Sequence, residues 1–335
     1  MVTAREAWLK LTREDAIDPD LAICDPHHHL WYQDNEGYSL EDFVKDASGG
    51  HRIVQTVYIE SRKMLRLNTS PEMQPVGETE YVRDLLDRSA VQQSGNSGIA
   101  SGIVGFADLS LGKAVVPVLE AHIAAGRGRF KGIRFITTWD ASPEIRSSSV
   151  QGIMASSRFR EGFACLKRYG LSFDAWLYHP QLMELADLAR AYPDTPIILD
   201  HIGGPLGIGP YAKKRDEVFQ HWKEGMEALA SCENVFVKLG GLGMEISGFG
   251  WHNRPEPPDS TELAEEFSPY FSWCVQRFGV DRCMFESNFP VDKRSYSYTI
   301  LWNAFKHLSK DYSTEERKAL FHDTAVRAYH LPEAA

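Results

Sequence analysis

The chain is 335 residues long, and 43% of them are hydrophobic, 24% charged and 11% aromatic. Its 36 basic and 46 acidic side chains give a formal charge of −10 with no basic block, which argues against nucleic acid or an anionic membrane surface as a partner. No run approaches 18 consecutive apolar residues, and the opening MVTAREAWLK lacks the apolar core of a secretory signal, so neither a membrane span nor export is expected.

Short β-branched runs alternate with longer amphipathic stretches along the whole chain. Strands are predicted at 22–25, 53–59, 101–106, 131–136, 171–177, 196–200, 234–239 and 282–286. Helices are predicted at 78–90, 113–125, 159–169, 180–191, 212–231, 261–279, 297–309 and 314–329. Eight strands interleaved with helices, with no linker-like change in composition, read as one α/β domain over 1–335, a (β/α)8 TIM barrel. A doubly wound sheet would want a glycine-rich phosphate turn after an early strand, and no GxGxxG is present there. The glycine-rich stretch Gly203–Gly209 follows a late strand and lacks the Lys-Ser/Thr ending of a P-loop.

The long loops, 61–77, 137–158, 202–211 and 240–260, all follow strands, and in a barrel such loops build the active-site face. Residues 240–260, with Phe249, Trp251 and His252, read as a lid over the site, or alternatively as a packed surface loop. The five cysteines, Cys24, Cys165, Cys232, Cys274 and Cys283, are odd in number and without CxxC spacing, so a reducing cytoplasm is the expected compartment.

Chemistry concentrates first in Asp25-Pro26-His27-His28-His29-Leu30-Trp31, at the end of the first strand. Strand alternation turns His27 and His29 one way and His28 the other, so the pair can share one divalent cation, with Asp25 orienting an imidazole from behind. A histidine-rich turn without metal is the plainer alternative. His179 and His201 end the fifth and sixth strands and are the further candidate ligands, whereas His51, His122, His221, His307, His322 and His330 read as surface or capping residues.

DPHHHLW, the KGIRF strand, the PxxLDHxG strand and the final MFESNFP together resemble the amidohydrolase superfamily, in its amidohydrolase 2 branch, over nearly the whole chain. That branch includes lactonases acting on sugar lactones and on pyrone dicarboxylate, and more distantly the metal-dependent aromatic decarboxylases. The resemblance implies a barrel whose histidines hold a metal or polarise a carbonyl, with an acid after the eighth strand carrying the proton. Here that motif reads Glu286-Ser287-Asn288-Phe289-Pro290, with Asn288 where the family has an aspartate. An amide accepts no proton from water at neutral pH, although its oxygen can ligate a metal weakly or hold a water.

The proton carrier is therefore sought in Glu286 or Glu60, with Asp200 and Asp292 as further carboxylates. Glu286 could instead be a buried partner of Lys238 or Arg134. Arg134 stands where two-metal members carry a bridging ligand, which implies one metal or none and leaves a guanidinium for a substrate carboxylate. Lys238 could support it or merely snorkel from the barrel rim. Ser61, Arg62 and Arg66 open the second loop, and Trp31, Trp139, Trp176, Trp251 and Phe289 would line an apolar pocket.

The expected function is hydrolysis of a small carboxylated cyclic ester or related C–O or C–N bond. One divalent ion, zinc or manganese, is held by His27, His29, His201 and His179, or the histidines polarise the carbonyl without metal. The alternatives are a metal-dependent aromatic decarboxylase and a non-catalytic ligand-binding barrel. The expected partner is a small-molecule substrate, and Tyr296, Tyr298 and Trp302 could form a homo-oligomer face.

Overall fold

The computed structural model describes residues 3–33, 36–88 and 98–333. Eight parallel strands run in chain order: β1 (Ala22–His28), β2 (Arg52–Ile59), β3 (Gly102–Gly105), β4 (Phe130–Ile136), β5 (Ser172–Trp176), β6 (Ile197–Leu199), β7 (Val235–Leu239) and β8 (Cys283–Phe285). The seam between β8 and β1 is closed just past the strands. Asn288 N–H donates to His27 O at 2.9 Å, and His29 N–H donates to Phe289 O at 2.8 Å. The fold is a (β/α)8 barrel, and each of the eight predicted strands overlaps an observed one.

Helices follow each strand: α1 (Leu40–Ala47), α2 (Val76–Arg88), α3 (Val116–Gly126), α4 (Ser157–Arg168), α5 (Leu182–Ala191), α6 (Arg215–Ala230), α7 (Ser260–Phe278) and α8 (Tyr298–Leu308). The helix predicted at 78–90 runs past Arg88 into residues outside the described ones. α1 is not among the predicted helices. Leu40, Phe43, Val44 and Ala47 recur at i, i+3, i+4 and i+7 along it, and a capping box between Ser39 and Asp42 starts it, so its signal lay in the sequence and was short. Also unpredicted are the N-terminal helix Ala4–Leu9 and a hairpin of Trp31–Gln33 with Glu36–Tyr38. Among the described residues only Leu109–Gly126 has the length and apolarity of a membrane helix. It is broken at Gly112 (φ 62°) and buries Leu109, Val115, Val118 and Leu119 in the protein's own core.

The barrel interior has two layers. Cys24, Val57, Ile59, Val104, Ile198 and Met284 form an apolar floor, capped from below by Tyr329 and Leu331 at the C-terminal end. Above it, Arg134, Asp174 and Lys238 come from strands β4, β5 and β7, while His27 and Glu286 stand at the upper ends of β1 and β8.

Several surface expectations are corrected by burial. Tyr296 (0% exposed), Tyr298 (2%) and Trp302 (0%) pack inside and offer no oligomer face. His122 is a core residue, stacked on Phe130 and bonded to Thr79, and His51 is buried against Lys306. The 240–260 loop is packed and pinned. Trp251 stacks on Phe249 with centroids 4.2 Å apart, and Arg5 and Trp8 of the N-terminal helix bond to the His252 and Arg254 carbonyls.

Candidate active site

β1 reaches the site through an irregularity. Pro26 has no N–H to give to the sheet, and the register with β2 shifts between Asp25 and His28. His27 and His29 then face the barrel mouth together, while His28 turns outward, stacks on Phe43 at 4.1 Å and bonds to Thr56. Asp25 does not orient an imidazole. Its carboxylate accepts from the N–H groups of His27 and Ser287 and from the Tyr298 hydroxyl, which ties β1 to β8.

His29 Nδ1 lies 2.8 Å from the Ile59 carbonyl, which can only accept, so the ring proton is assigned to Nδ1 and Nε2 carries the lone pair. His27 Nδ1 lies 2.9 Å from Glu286 Oε2, an approach not aligned as a hydrogen bond, and 3.5 Å from Asp200 Oδ1. The Lys238 ammonium, which can only donate, stands 3.2 Å from the same Nδ1, and the Arg134 guanidinium 3.3 Å from Nε2, so both ring nitrogens face a donor. Burial first, and then the neighbouring Lys238 charge, lowers the His27 pKa; burial and Arg134 lower that of His29 further. The Nε2 atoms of the two rings stand 3.2 Å apart at the barrel mouth.

His201 is held by Glu286, whose Oε1 accepts from the ring Nδ1 at 2.7 Å and from the backbone N–H at 3.0 Å. Burial favours the neutral acid, but His201 and His27 overcome it and hold Glu286 down at about 2. His201 (φ 55°), Ile202 (φ 48°) and Asn288 (φ 53°) all adopt left-handed backbone, which costs a β-branched residue such as Ile202 roughly 1–3 kcal/mol. The Trp222 indole N–H bonds to the Ile202 carbonyl and helps hold that turn. Above the pair run Gly240 and Gly241. A Cβ on Gly240 would lie 2.4 Å from Glu286 Cγ, and one on Gly241 (φ 74°) 2.5 Å from the His201 ring.

Below lies the polar layer. Lys238 Nζ donates to Asp174 Oδ2 at 2.8 Å and Asp200 Oδ1 at 2.9 Å, and touches His27 Nδ1 at 3.2 Å. Against the effect of burial, Lys238 and then His27 hold Asp200 well below the usual carboxylate range. Arg134 donates through Nε to Glu60 Oε1 at 2.8 Å and through Nη2 to the Glu60 carbonyl, and Nη1 reaches His27 Nε2 at 3.3 Å. Glu60 Oε2 and Asp200 Oδ2 are buried without a hydrogen-bond donor, and each has a guanidinium nitrogen at 3.9 Å, from Arg62 and Arg134 respectively.

Several expected roles change accordingly. Arg134 is a strut between β4, Glu60 and His27, with no free edge for a substrate carboxylate. Lys238 (0% exposed), Phe289 (0%) and Trp251 (3%) are enclosed by protein, whereas Trp31 is half-buried, its ring 6.4 Å from that of His29. The half-exposed Arg62 lies over the Phe106 ring at 3.8 Å and is the guanidinium that solvent can reach. His179 is not brought to His27, His29 or His201. It begins a 3-10 turn with Pro180, and its ring stands edge-on to Tyr211 and His221. Asn288 donates through Nδ2 to Asp292 Oδ1 at 2.9 Å, which sets a buried carboxylate directly behind the amide.

The donor set suits a divalent cation. One ligand atom each from His27, His201 and Glu286 lie within 4.8 Å of one another, all three residues buried. The 3.2 Å between the His27 and His29 Nε2 atoms matches the edge of a tetrahedron built on zinc–nitrogen bonds, about 3.3 Å. The formal charges of Glu60, Asp174, Asp200 and Glu286 exceed those of Arg134 and Lys238 by two, which a divalent ion would balance.

Residues 24–331 match the family described as amidohydrolase. The chain is 33% identical to the uncharacterized protein y4mH of Sinorhizobium fredii, over 93% of this chain and 99% of that one. It is 25% identical to an L-fucono-1,5-lactonase of Burkholderia multivorans, over 70% of this chain and 73% of that one. An amidohydrolase from Burkholderia multivorans, solved with bound zinc, superposes with a TM-score of 0.67 at 21% identity, covering 93% of this chain and 100% of its own.

Proposed function

The chain belongs to the amidohydrolase family, and on that premise we propose that it is a hydrolase that opens the ring ester of a small polyhydroxylated or carboxylated lactone. The observation that carries this reading is the convergence of His27, His201 and Glu286 at the mouth of the barrel. The L-fucono-1,5-lactonase and L-rhamnono-gamma-lactonase names of its relatives support the substrate class. The zinc in a structural relative supports a metal, zinc or manganese, held by His27, His201 and Glu286 with His29 beside them. Free thiols at all five cysteines support a cytoplasmic location.

When bound, such an ion polarises a carbonyl and acidifies water. The chain's own residues do the rest. Glu286 fixes the His201 ring and tautomer, and Arg134 and Lys238 fix His27. Hydrolysis joins a water oxygen to the lactone carbonyl carbon, breaks the ring C–O bond, and moves one water proton to the departing alkoxide. With both Glu286 oxygens against histidines, Glu60 is the proton carrier: its Oε2 has no donor, and Lys238 does not hold it as it holds Asp200. Arg62, which solvent reaches, receives a substrate carboxylate.

The test is acid release from L-fucono-1,5-lactone, L-rhamnono-1,4-lactone and pyrone-type lactones, by pH-stat, with protein loaded with zinc or manganese. Turnover that is lost in His201→Ala and falls at least a hundredfold in Glu60→Gln supports the reading. No ring opening of any lactone, or carbon dioxide release from an aromatic acid instead, overturns it.

A further inference from the structure

On the outer side of the loop that carries His201, between His179 and the start of α6, lies a cavity of about 370 Å³. It is walled by His179, Tyr211, Lys214, Glu217 and His221, none of which meets the His27–His201–Glu286 group. His179 is 2% exposed, and its Nε2 is buried with no hydrogen-bond partner among the described residues. The Leu206 N–H, which can only donate, points to His179 Nδ1 at 3.4 Å. Nδ1 is therefore the lone-pair nitrogen, and the proton of the neutral ring sits on Nε2. Burial, and then His221, lowers the His179 pKa to about 4, so the ring is neutral at pH 7.

A buried N–H without an acceptor is costly, and an acceptor in the cavity would recover that cost. The same tautomer argues against a metal here, since Nε2 has no lone pair to offer. The other walls say what the acceptor belongs to. Lys214 and Glu217 are exposed at the cavity wall, so each is available to a ligand. The Tyr211 hydroxyl gives its proton to Asp140 Oδ2 at 2.7 Å and so turns a lone pair to whatever approaches. Two donors, His179 Nε2–H and the Lys214 ammonium, suit a carboxylate; two acceptors, Glu217 and the Tyr211 oxygen, suit hydroxyls. The Glu217 charge disfavours a doubly charged phosphate.

We propose that this cavity is a second small-molecule site, separate from the candidate active site, that binds a hydroxy acid through His179 and Lys214 at its carboxylate and Glu217 and Tyr211 at its hydroxyls. The volume falls within the range of small-ligand pockets. The site rests on its own residues and holds whether or not the protein opens lactones.

The experiment titrates the full-length chain, labelled with nitrogen-15 in its histidines, with sodium D-gluconate. Acetate, inorganic phosphate and sodium chloride at equal ionic strength are the comparison probes. The His179 Nε2–H signal, assigned by its absence in His179→Gln, is expected to shift saturably with gluconate, less with acetate, and not with chloride. Lys214→Ala, a change at an exposed position, is expected to weaken gluconate binding about tenfold, roughly 1.4 kcal/mol, and His201→Ala is expected to leave it unchanged. No saturable shift, equal binding by Lys214→Ala, loss in His201→Ala, or tighter binding of phosphate than of gluconate each overturns the proposal.

Discussion

A single oxygen of Glu286 holds His201 twice, through the ring Nδ1 at 2.7 Å and through the backbone N–H at 3.0 Å. The second bond anchors a backbone in the left-handed region (φ 55°), and the first fixes which nitrogen faces the site. Glu286→Gln keeps the shape but replaces one acceptor oxygen with an NH₂ group and removes the charge. Lactone kcat/KM is expected to fall by about 10²–10³-fold, with bound zinc lost in parallel by elemental analysis. Full metal content with unchanged kinetics would show that Glu286 neither ligates nor orients.

The outward turn of His28 separates it from its neighbours by one strand position. His28→Gln keeps a hydrogen-bonding group near Thr56 and is expected to hold its metal and activity to within about threefold, with some loss of stability from the lost stacking on Phe43. His27→Ala is expected to lose both metal and activity. If the two variants behave alike in metal analysis and turnover, the alternation assigned to this strand is wrong.

Placing an acid at position 288 is expected to harm the protein. The Asn288 amide donates to Asp292, a buried carboxylate that also accepts from Gly243 N–H and the Tyr296 hydroxyl. Asn288→Asp sets two carboxylates face to face, and one must stay protonated or move. The expected result is a lower Tm and kcat/KM no better than wild type. A tenfold gain in kcat/KM would identify Asn288 as the site of a missing base.

The barrel was legible because its strands are short β-branched runs between amphipathic helices, a pattern that needs no tertiary knowledge. Which histidines converge was only half legible. Strand alternation correctly separates His27 and His29 from His28, but His179 and His201 lie just past their strands, where alternation no longer applies. Pro180 turns His179 outward, whereas Gly240 and Gly241 make room for His201 and Glu286 to pair. The Gly-Gly pair at the end of β7 was the available signal for that crowding. The bonding of Lys238 to Asp174 and Asp200 joins strands β5 and β7 with the loop after β6, and Tyr329 reaches Asp174 from the far end of the chain at 2.5 Å. Such pairings follow from barrel closure and leave no local trace.

Lys238 is fully buried between two carboxylates, so its removal leaves two negative charges in the barrel without their counter-ion. Lys238→Met is expected to destabilise the fold by about 3–5 kcal/mol, measured by urea unfolding at pH 7. Adding Asp174→Asn to it is expected to recover part of that loss, because one uncompensated charge is gone. Equal stability of wild type and Lys238→Met would mean that the buried charges are already screened by something other than the lysine.

Asp292 gives the stability a defined pH signature. Burial raises its pKa from 3.8 to about 6, against the hydrogen bonds from Tyr296 and Asn288. A carboxyl raised on folding binds its proton more tightly in the folded state. Its contribution is therefore complete below pH 4 and is lost as the pH rises through 6. Asp292→Asn cannot titrate, so the stability of wild type relative to this variant is expected to increase by about 2–3 kcal/mol as the pH falls from 7 to 4. Urea unfolding of both proteins at several pH values reads that difference directly and cancels the titration of other groups. A difference that is flat, or that grows toward alkaline pH, would mean that the donors around Asp292 outweigh its burial and that the carboxylate is held in its charged form.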